Sequence, residues 1–248
     1  MSTRDPSVRR MTTPSSTNSR RGWLVVGLIG FAVLIAYFAV VSPWLQDFRL
    51  FAARFLALDS VQRMWFVTRA AGLTGYVLLW LSTAWGLVVS SKILDSILHR
   101  SFSYDFHEFL SLLAIGFVAV HVIVLMADQY LPFNLLQVLI PFVAPYRPFW
   151  VGMGVIAFYL TVIASVTFYI RSRIGTRAFR VIHYSSFVAF LGSAVHGLMA
   201  GTDSSLLATQ LLYAGTLLSV VFLTTYWLAL QFQTRRAPAR ALHSGRSN

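Results

Sequence analysis

Residues 107–121 read HEFLSLLAIGFVAVH and residues 183–196 read HYSSFVAFLGSAVH. Both stretches are mostly apolar, and each begins and ends with a histidine. A helix that crosses a membrane needs about 20 mainly apolar residues. Ionisable side chains within such a helix are costly, and those that persist generally face the bundle interior and carry function. The two stretches therefore indicate two membrane-spanning helices with four functional histidines.

The composition of the whole chain agrees with residence in a membrane. The 248 residues are 57% hydrophobic and 11% charged, with a mean hydropathy of +0.68. An ordinary soluble domain carries about 25% charged residues, so a soluble globular fold is excluded. The net charge of +12 raises the question of nucleic acid, but the basic residues lie in the tails and loops between long uncharged runs. We expect a lipid bilayer as the surrounding medium and no nucleic acid partner.

The chain contains no cysteine. Disulfides, iron–sulfur clusters, thiolate-ligated haem and covalently attached c-type haem are thereby excluded. Any bound metal has to be held by histidine nitrogen or by oxygen.

The uncharged runs predict an all-α bundle of six transmembrane helices. Residues 129–146 form another uncharged run, but Pro132, Pro141 and Pro145 interrupt any continuous helix there, so we assign it to the membrane surface. We expect a disordered cytoplasmic tail at 1–21, a six-helix domain at 22–232 and a second cytoplasmic tail at 233–248. The predicted spans are 22–42, 68–90, 106–126, 149–170, 181–200 and 206–231.

The distribution of positive charge predicts the orientation. With six spans both termini lie on one side, and fifteen of the 20 Lys and Arg residues fall on that side, against five on the other. By the positive-inside rule the chain is a multi-pass protein of the cell membrane with both termini in the cytoplasm.

The histidine spacing places two pairs at two depths. His107 and His121 are 14 residues apart and His183 and His196 are 13 apart, which corresponds to about 20 Å along a helix axis. Both helices run outward, so His107 is level with His183 and His121 with His196. A 13-residue step misses the same helix face by about 140°. The fifth span must therefore twist, tilt or bulge, and Gly192 offers a place for it.

Two imidazoles that face each other at one depth suit the two axial positions of a haem iron. A zinc site normally needs four ligands, and two histidines per level fall short of that number. Structural histidines, a proton relay and another metal remain as alternatives. A relay usually includes acidic partners, and the last four spans contain no interior Asp or Glu, since Glu108 neighbours His107 only in sequence.

These residues resemble the ferric reductase-like transmembrane domain family, which includes the haem core of NADPH oxidases and the haem subunit of a periplasmic methionine sulfoxide reductase. The resemblance covers roughly residues 65–230. It rests on Arg69-x-x-Gly72 with Tyr76, His107-Glu108 through His121, Tyr146-Arg147-Pro148, Gly152-x-Gly154-Val155-Ile156-Ala157, and Arg177-x-x-Arg180-x-x-His183-Tyr184 through His196-Gly197.

The resemblance implies two stacked haem b groups between the third and fifth spans. The inner haem would be ligated by His107 and His183, and the outer haem by His121 and His196. Arginines near the helix ends are candidates to bind the haem propionates, or equally to set topology or contact lipid headgroups. Arg69 and Arg147 are the outer candidates, and Arg177 and Arg180 are the inner ones.

The implied function is single-electron transfer across the membrane, from a cytoplasmic donor to an outer acceptor. Family members that oxidise NADPH have a flavin and nucleotide domain after the sixth helix, and no such domain follows Arg235 here. We therefore expect a separate flavoprotein reductase or quinone as donor and a ferric chelate or periplasmic redox protein as acceptor. The scaffold also suits the haem-binding membrane subunit of a periplasmic oxidoreductase. The alternative, from a different functional class, is a transporter that binds no haem.

Overall fold

The computed structural model describes residues 59–128, 131 and 133–244, together with residues 50, 54, 55 and 57. The side chains of Ser60 and of residues 234–244 are outside this description. The predicted tail at 1–21 and the predicted first span at 22–42 also lie outside the described residues.

The described part of the chain is built from helices and contains no β-strand, which confirms the all-α class. In chain order the helices are α1 (Ser60–Ser90), α2 (Arg100–Ala127), α3 (Leu135–Leu139), α4 (Pro148–Tyr169), α5 (Arg171–His183), α6 (Ser185–Ala200) and α7 (Leu207–Ser244).

Five segments of the described chain are long and apolar enough to cross a membrane. They correspond to the second to sixth predicted spans. The observed bounds lie within two residues of the predicted ones, except that the second, third and fifth spans begin six to ten residues earlier. The fifth begins ten residues early because the basic α5 precedes α6 without a gap. The segments are Val61–Ser90, Arg100–Ala127, Pro148–Tyr169, Arg171–Ala200 and Leu207–Gln233.

In the proline-containing segment between α2 and α4, the described residues form one short helix, α3, and no span, as predicted. Asn134 and Gln137 cap the start of α3 by reciprocal side-chain bonds to each other's main-chain N–H groups. Pro148 occupies the first turn of α4, where its missing N–H costs no helical hydrogen bond. A proline thus ends the loop and starts the next helix.

Helix α7 continues past the predicted domain boundary at 232 and ends at Ser244. Its apolar part ends at Gln233. Residues 233–244 include three Ala and three Arg, which favour helix, and also Pro238, which does not. The predicted boundary therefore falls within one continuous helix.

Small side chains bring the helices together. Helix α1 packs along α2, and α4 packs along α6, whereas α2 and α6 are not close-packed neighbours in the described part of the chain. The most deeply buried residues include Ala114, Ala157, Ala189 and Ala194. Alanines at helix contacts let backbones approach closely, as is usual in membranes. Helices α2 and α6, which carry three of the four histidines, thus belong to separate pairs of packed helices.

The predicted irregularity in the fifth span lies at Tyr184 and not at Gly192. Tyr184 separates α5 from α6, and the Phe187 N–H donates to the Tyr184 carbonyl at 3.2 Å in a tight three-residue step. A tighter turn rotates about 120° per residue in place of 100°, which reduces the angular mismatch between His183 and His196. Gly192 instead lies in regular helix, where a Cβ would be 3.3 Å from the Ala157 Cβ.

Candidate functional site

The predicted pair His107 and His183 is brought together in the structure. The two rings have centres 6.0 Å apart and planes at 77° to each other. His107 lies on the second turn of α2, and His183 is the last residue of α5. Two residues 76 positions apart in sequence thus face each other across one gap.

A cleft of about 80 Å³ opens around this pair, between α1, α2, α4 and the junction of α5 with α6. Its wall combines apolar side chains with hydroxyl groups from Ser82, Thr83, Ser111, Thr161, Ser165 and Ser186. Glu108 and Tyr169 also line the cleft, and the Tyr169 hydroxyl donates to the Glu108 carboxylate at 2.5 Å. Both imidazoles of the pair line this cleft.

The second pair, His121 and His196, is fixed by main-chain carbonyls. His121 donates from Nδ1 to the Thr68 carbonyl at 2.7 Å, and His196 donates from Nδ1 to the Trp150 carbonyl at 2.9 Å. The two rings are close enough to interact electrostatically. Because a carbonyl oxygen only accepts, the proton of each neutral ring resides on Nδ1. The Nε2 lone pair of each ring is left available.

Three glycines allow the neighbouring helices to approach the histidine rings. A Cβ on Gly72 would lie 2.9 Å from His121 Nδ1, one on Gly86 would lie 3.1 Å from His107 Cε1, and one on Gly154 would lie 2.7 Å from His196 Nδ1. In a helix, the carbonyl of residue i points toward residue i+4. Gly72 and Gly154 therefore open access to the Thr68 and Trp150 carbonyls.

The first pair has weaker partners. His107 Nδ1 lies 3.3 Å from the Ser82 hydroxyl, which also bonds Ser111 at 2.7 Å. His183 Nδ1 is buried and has no hydrogen-bond partner among the described residues. The two pairs thus differ in how firmly their rings are held.

Of the two arginines predicted at the outer end, Arg69 contacts the connection between α6 and α7, and Arg147 contacts the last turn of α6. Arg69 forms an ion pair with Asp203 and stacks on Trp65, with its guanidinium carbon 3.8 Å from the ring centre. Arg147, in a left-handed conformation with φ of 42°, donates to the Met199 carbonyl. Both arginines therefore lie near the end of the helix that carries His196.

The two arginines predicted at the inner end lie on α5. Arg180 donates from Nε to the Thr176 carbonyl at 3.3 Å, within its own helix. Arg177 is exposed on the same helix. Both precede His183 by no more than two helical turns.

Sequence reasoning missed the groups that hold the rings. Thr68, Ser82 and Trp150 gave no signal, since Thr68 and Trp150 act through main-chain carbonyls and Ser82 through a small hydroxyl group. A signal existed in the glycines: Gly72 and Gly86 are 14 residues apart, as are His107 and His121. Equal spacing on two antiparallel helices places each glycine at the depth of one histidine.

The described residues contain no group of three or more His, Cys, Asp or Glu side chains placed to hold a metal ion. The chain matches no protein-family model, no curated protein and no solved structure. The family resemblance therefore rests on the residues of this chain alone.

Proposed function

We propose that this chain is a dihaem b-type cytochrome that carries single electrons across the membrane. His107 and His183 would ligate one haem and His121 and His196 the other. The observation that carries the proposal is the pair of His107 and His183 rings, whose centres lie 6.0 Å apart, together with a second pair of histidines whose rings are held by main-chain carbonyls.

The separation of the first pair fits two ligands of one iron. Two imidazoles that bind one metal from opposite sides, through bonds of about 2 Å, have ring centres about 6 Å apart. The observed separation of 6.0 Å agrees with this value. Haem ligation of this kind needs only two imidazoles at each level.

The hydrogen bonds of the second pair also fit ligation. A metal-bound histidine nearly always donates its other ring N–H to a carbonyl or carboxylate, which fixes its tautomer and orientation. The bonds to the Thr68 and Trp150 carbonyls do this for His121 and His196. A histidine with a purely structural role would not require an Nε2 lone pair that is left without a hydrogen bond.

Held by these histidines, haem would supply one-electron transfer. The protein's side chains set the depth and separation of the two sites and exclude water with apolar helices. By the positive-inside rule, the His107–His183 pair lies toward the cytoplasm, beside the basic α5. A flavoprotein or quinone on that side, and a ferric chelate or redox protein outside, complete the proposed route.

The haem content of the purified chain tests the proposal. We expect two low-spin b-type haems per chain in detergent, measured from the dithionite-reduced spectrum and the haem-to-protein ratio. Replacing His121 with Ala should reduce the ratio from two to one. His99→Asn is the matched control, because His99 only caps α2 and Asn preserves a cap.

A colourless protein, or an unchanged ratio in His121→Ala, contradicts the proposal. Solute flux through a colourless protein in vesicles would favour the transporter. A tight complex with a soluble catalytic subunit would identify the chain as the membrane subunit of a periplasmic oxidoreductase.

A further inference from the structure

Helix α5 carries four arginines and no acidic residue. All four are exposed: Arg171, Arg173, Arg177 and Arg180. Charged side chains are costly in the hydrocarbon of a bilayer, so we place α5 at the level of the lipid headgroups, where α6 continues from it into the membrane. Between Asp128 and Asp203 the sequence contains no Asp or Glu. The positive charge of α5 therefore has no acidic neighbour along the chain.

The rest of this end of the bundle does not balance the charge either. Helix α5 packs against α4 and α6, which contain no carboxylate side chain. The nearest carboxylates along α1 and α2 have other partners. They are those of Asp95, Asp105 and Glu108, which bond to Arg100, Ser101 and Tyr169, respectively. The charge of α5 is thus left for a ligand from outside the chain.

The arginines of α5 keep most of their N–H donors free. Arg171 donates to the Phe168 carbonyl at 3.1 Å, with its guanidinium carbon 3.9 Å from the centre of the Phe168 ring. Arg180 donates to a carbonyl of its own helix at 3.3 Å. Arg173 and Arg177 make neither a hydrogen bond nor an ion pair within the described part of the chain. A guanidinium has five N–H donors and binds phosphate oxygens bidentately.

The apolar side of α5 fixes the helix against the bundle. The Phe179 ring stacks on the His183 ring, with centres 5.3 Å apart, and lies 6.3 Å from the Phe168 ring of α4. Ile182, three residues after Phe179, is half-buried on the same side. The exposed arginines are therefore held on the side of α5 that faces away from the bundle.

Exposed apolar and aromatic side chains accompany the arginines. Val181 and Tyr184 follow Arg177 by four and seven residues, which places them on one helix face. Val181 is 66% exposed and Tyr184 is 49% exposed. Tyrosine is enriched where headgroups meet acyl chains. A phosphate beside apolar chains matches this combination, whereas a soluble acidic protein would leave Val181 against a polar surface.

We propose that α5 binds anionic phospholipids of the adjacent leaflet. The guanidinium groups of α5 would bind the lipid phosphates, and Val181 and Tyr184 would contact the acyl chains. By the positive-inside rule this leaflet is the cytoplasmic one. Such binding requires no haem, so it is independent of the proposed function.

Native mass spectrometry of the full chain in detergent tests the inference. Phosphatidylglycerol and phosphatidylcholine with identical acyl chains are titrated separately at one ionic strength. We expect phosphatidylglycerol to bind at least 30-fold more tightly. Each arginine near a lipid surface strengthens the binding of anionic lipid about fivefold. The double variant Arg173→Gln/Arg177→Gln should therefore weaken phosphatidylglycerol binding roughly 30-fold and leave phosphatidylcholine binding unchanged.

The variant Asp95→Asn/Arg100→Gln is the matched control. It removes an arginine at the same end of the bundle together with its ion-pair partner, so the net charge is unchanged. Phosphatidylglycerol binding should stay as in the natural chain. The variant Arg173→Lys/Arg177→Lys keeps both charges and should retain most of the preference, which separates loss of charge from a folding defect.

Equal affinity for the two lipids would overturn the inference and leave the arginines to an acidic protein. Displacement of phosphatidylglycerol by inorganic phosphate at constant ionic strength would overturn it too, because the ligand would then be free phosphate. The haem-to-protein ratio of the same samples tests the proposed function separately. A lower ratio with unchanged lipid preference in Arg173→Gln/Arg177→Gln would assign the arginines to haem propionates and overturn the inference.

Discussion

At the scale of single residues, glycine determines how closely one helix can approach a histidine on the next. Gly72, Gly86 and Gly154 each lie beside a histidine ring, and a Cβ on any of them would lie 2.7–3.1 Å from that ring. Gly116 differs, since a Cβ at that position would meet no atom within 4 Å. Glycine in a helix interior costs about 1 kcal/mol relative to alanine. The three glycines beside the rings therefore lower the stability of their helices but allow the imidazoles to lie close to the helix backbone.

Gly154→Ala should displace the His196 ring, because the new methyl group would lie 2.7 Å from its Cγ and Nδ1. The bond to the Trp150 carbonyl would be lost with the displacement. We expect the haem-to-protein ratio to fall from two toward one, measured on purified protein.

Gly116→Ala is the control for this change, since it makes the same chemical substitution in open space. The ratio should stay at two. Equal haem content in both alanine variants would show that close approach at Gly154 is not needed.

At the scale of elements, polar bonds join α1 to α7 within the apolar bundle. The Tyr76 hydroxyl donates to Thr216 Oγ1 at 2.5 Å, because the Thr216 proton is directed to the Tyr213 carbonyl. Trp80 Nε1 donates to the Ser219 hydroxyl at 2.8 Å. Tyr76 also packs against Phe190 of α6. Three helices are thereby fixed around one tyrosine.

Tyr76→Phe should lower the free energy of unfolding by about 1 kcal/mol, because it removes one buried hydrogen bond and keeps the ring. For a chain of this size the melting temperature in detergent should fall by about 2–4 °C. Tyr226→Phe, at a position of α7 that is 41% exposed, should leave the melting temperature unchanged. Equal effects of the two substitutions would contradict a role for the Tyr76 bond.

At the scale of the whole molecule, the described residues expose large apolar side chains and bury many small ones. Large apolar side chains are exposed along the spans, including Ile123, Leu191, Leu218 and Phe222. In water such a surface would drive aggregation, whereas in lipid it is the face that the bilayer covers. The five described spans are therefore those of a multi-pass membrane protein.

The orientation predicted from charge can be measured by thiol labelling, because the chain has no cysteine of its own. A cysteine at Ser205, between α6 and α7, should react with a membrane-impermeant reagent in intact cells. One at Ser172 of α5 should react only after permeabilisation. Both positions are exposed, so access depends on the side of the membrane. The reverse pattern would overturn the assignment of both termini to the cytoplasm.

The sequence by itself determined the spans and the depths of the histidines. Apolar length and the rise per residue are local properties, so Val61–Ser90 and the levels of His107 and His121 could be predicted without knowing any contact. The tertiary structure alone decided which groups hold the rings. The Thr68 and Trp150 carbonyls belong to every peptide chain, and their choice depends on which helices pack together. The missing partner of His183 is likewise visible only once α4 is placed beside it, because a hydrogen bond depends on positions that two helices reach together.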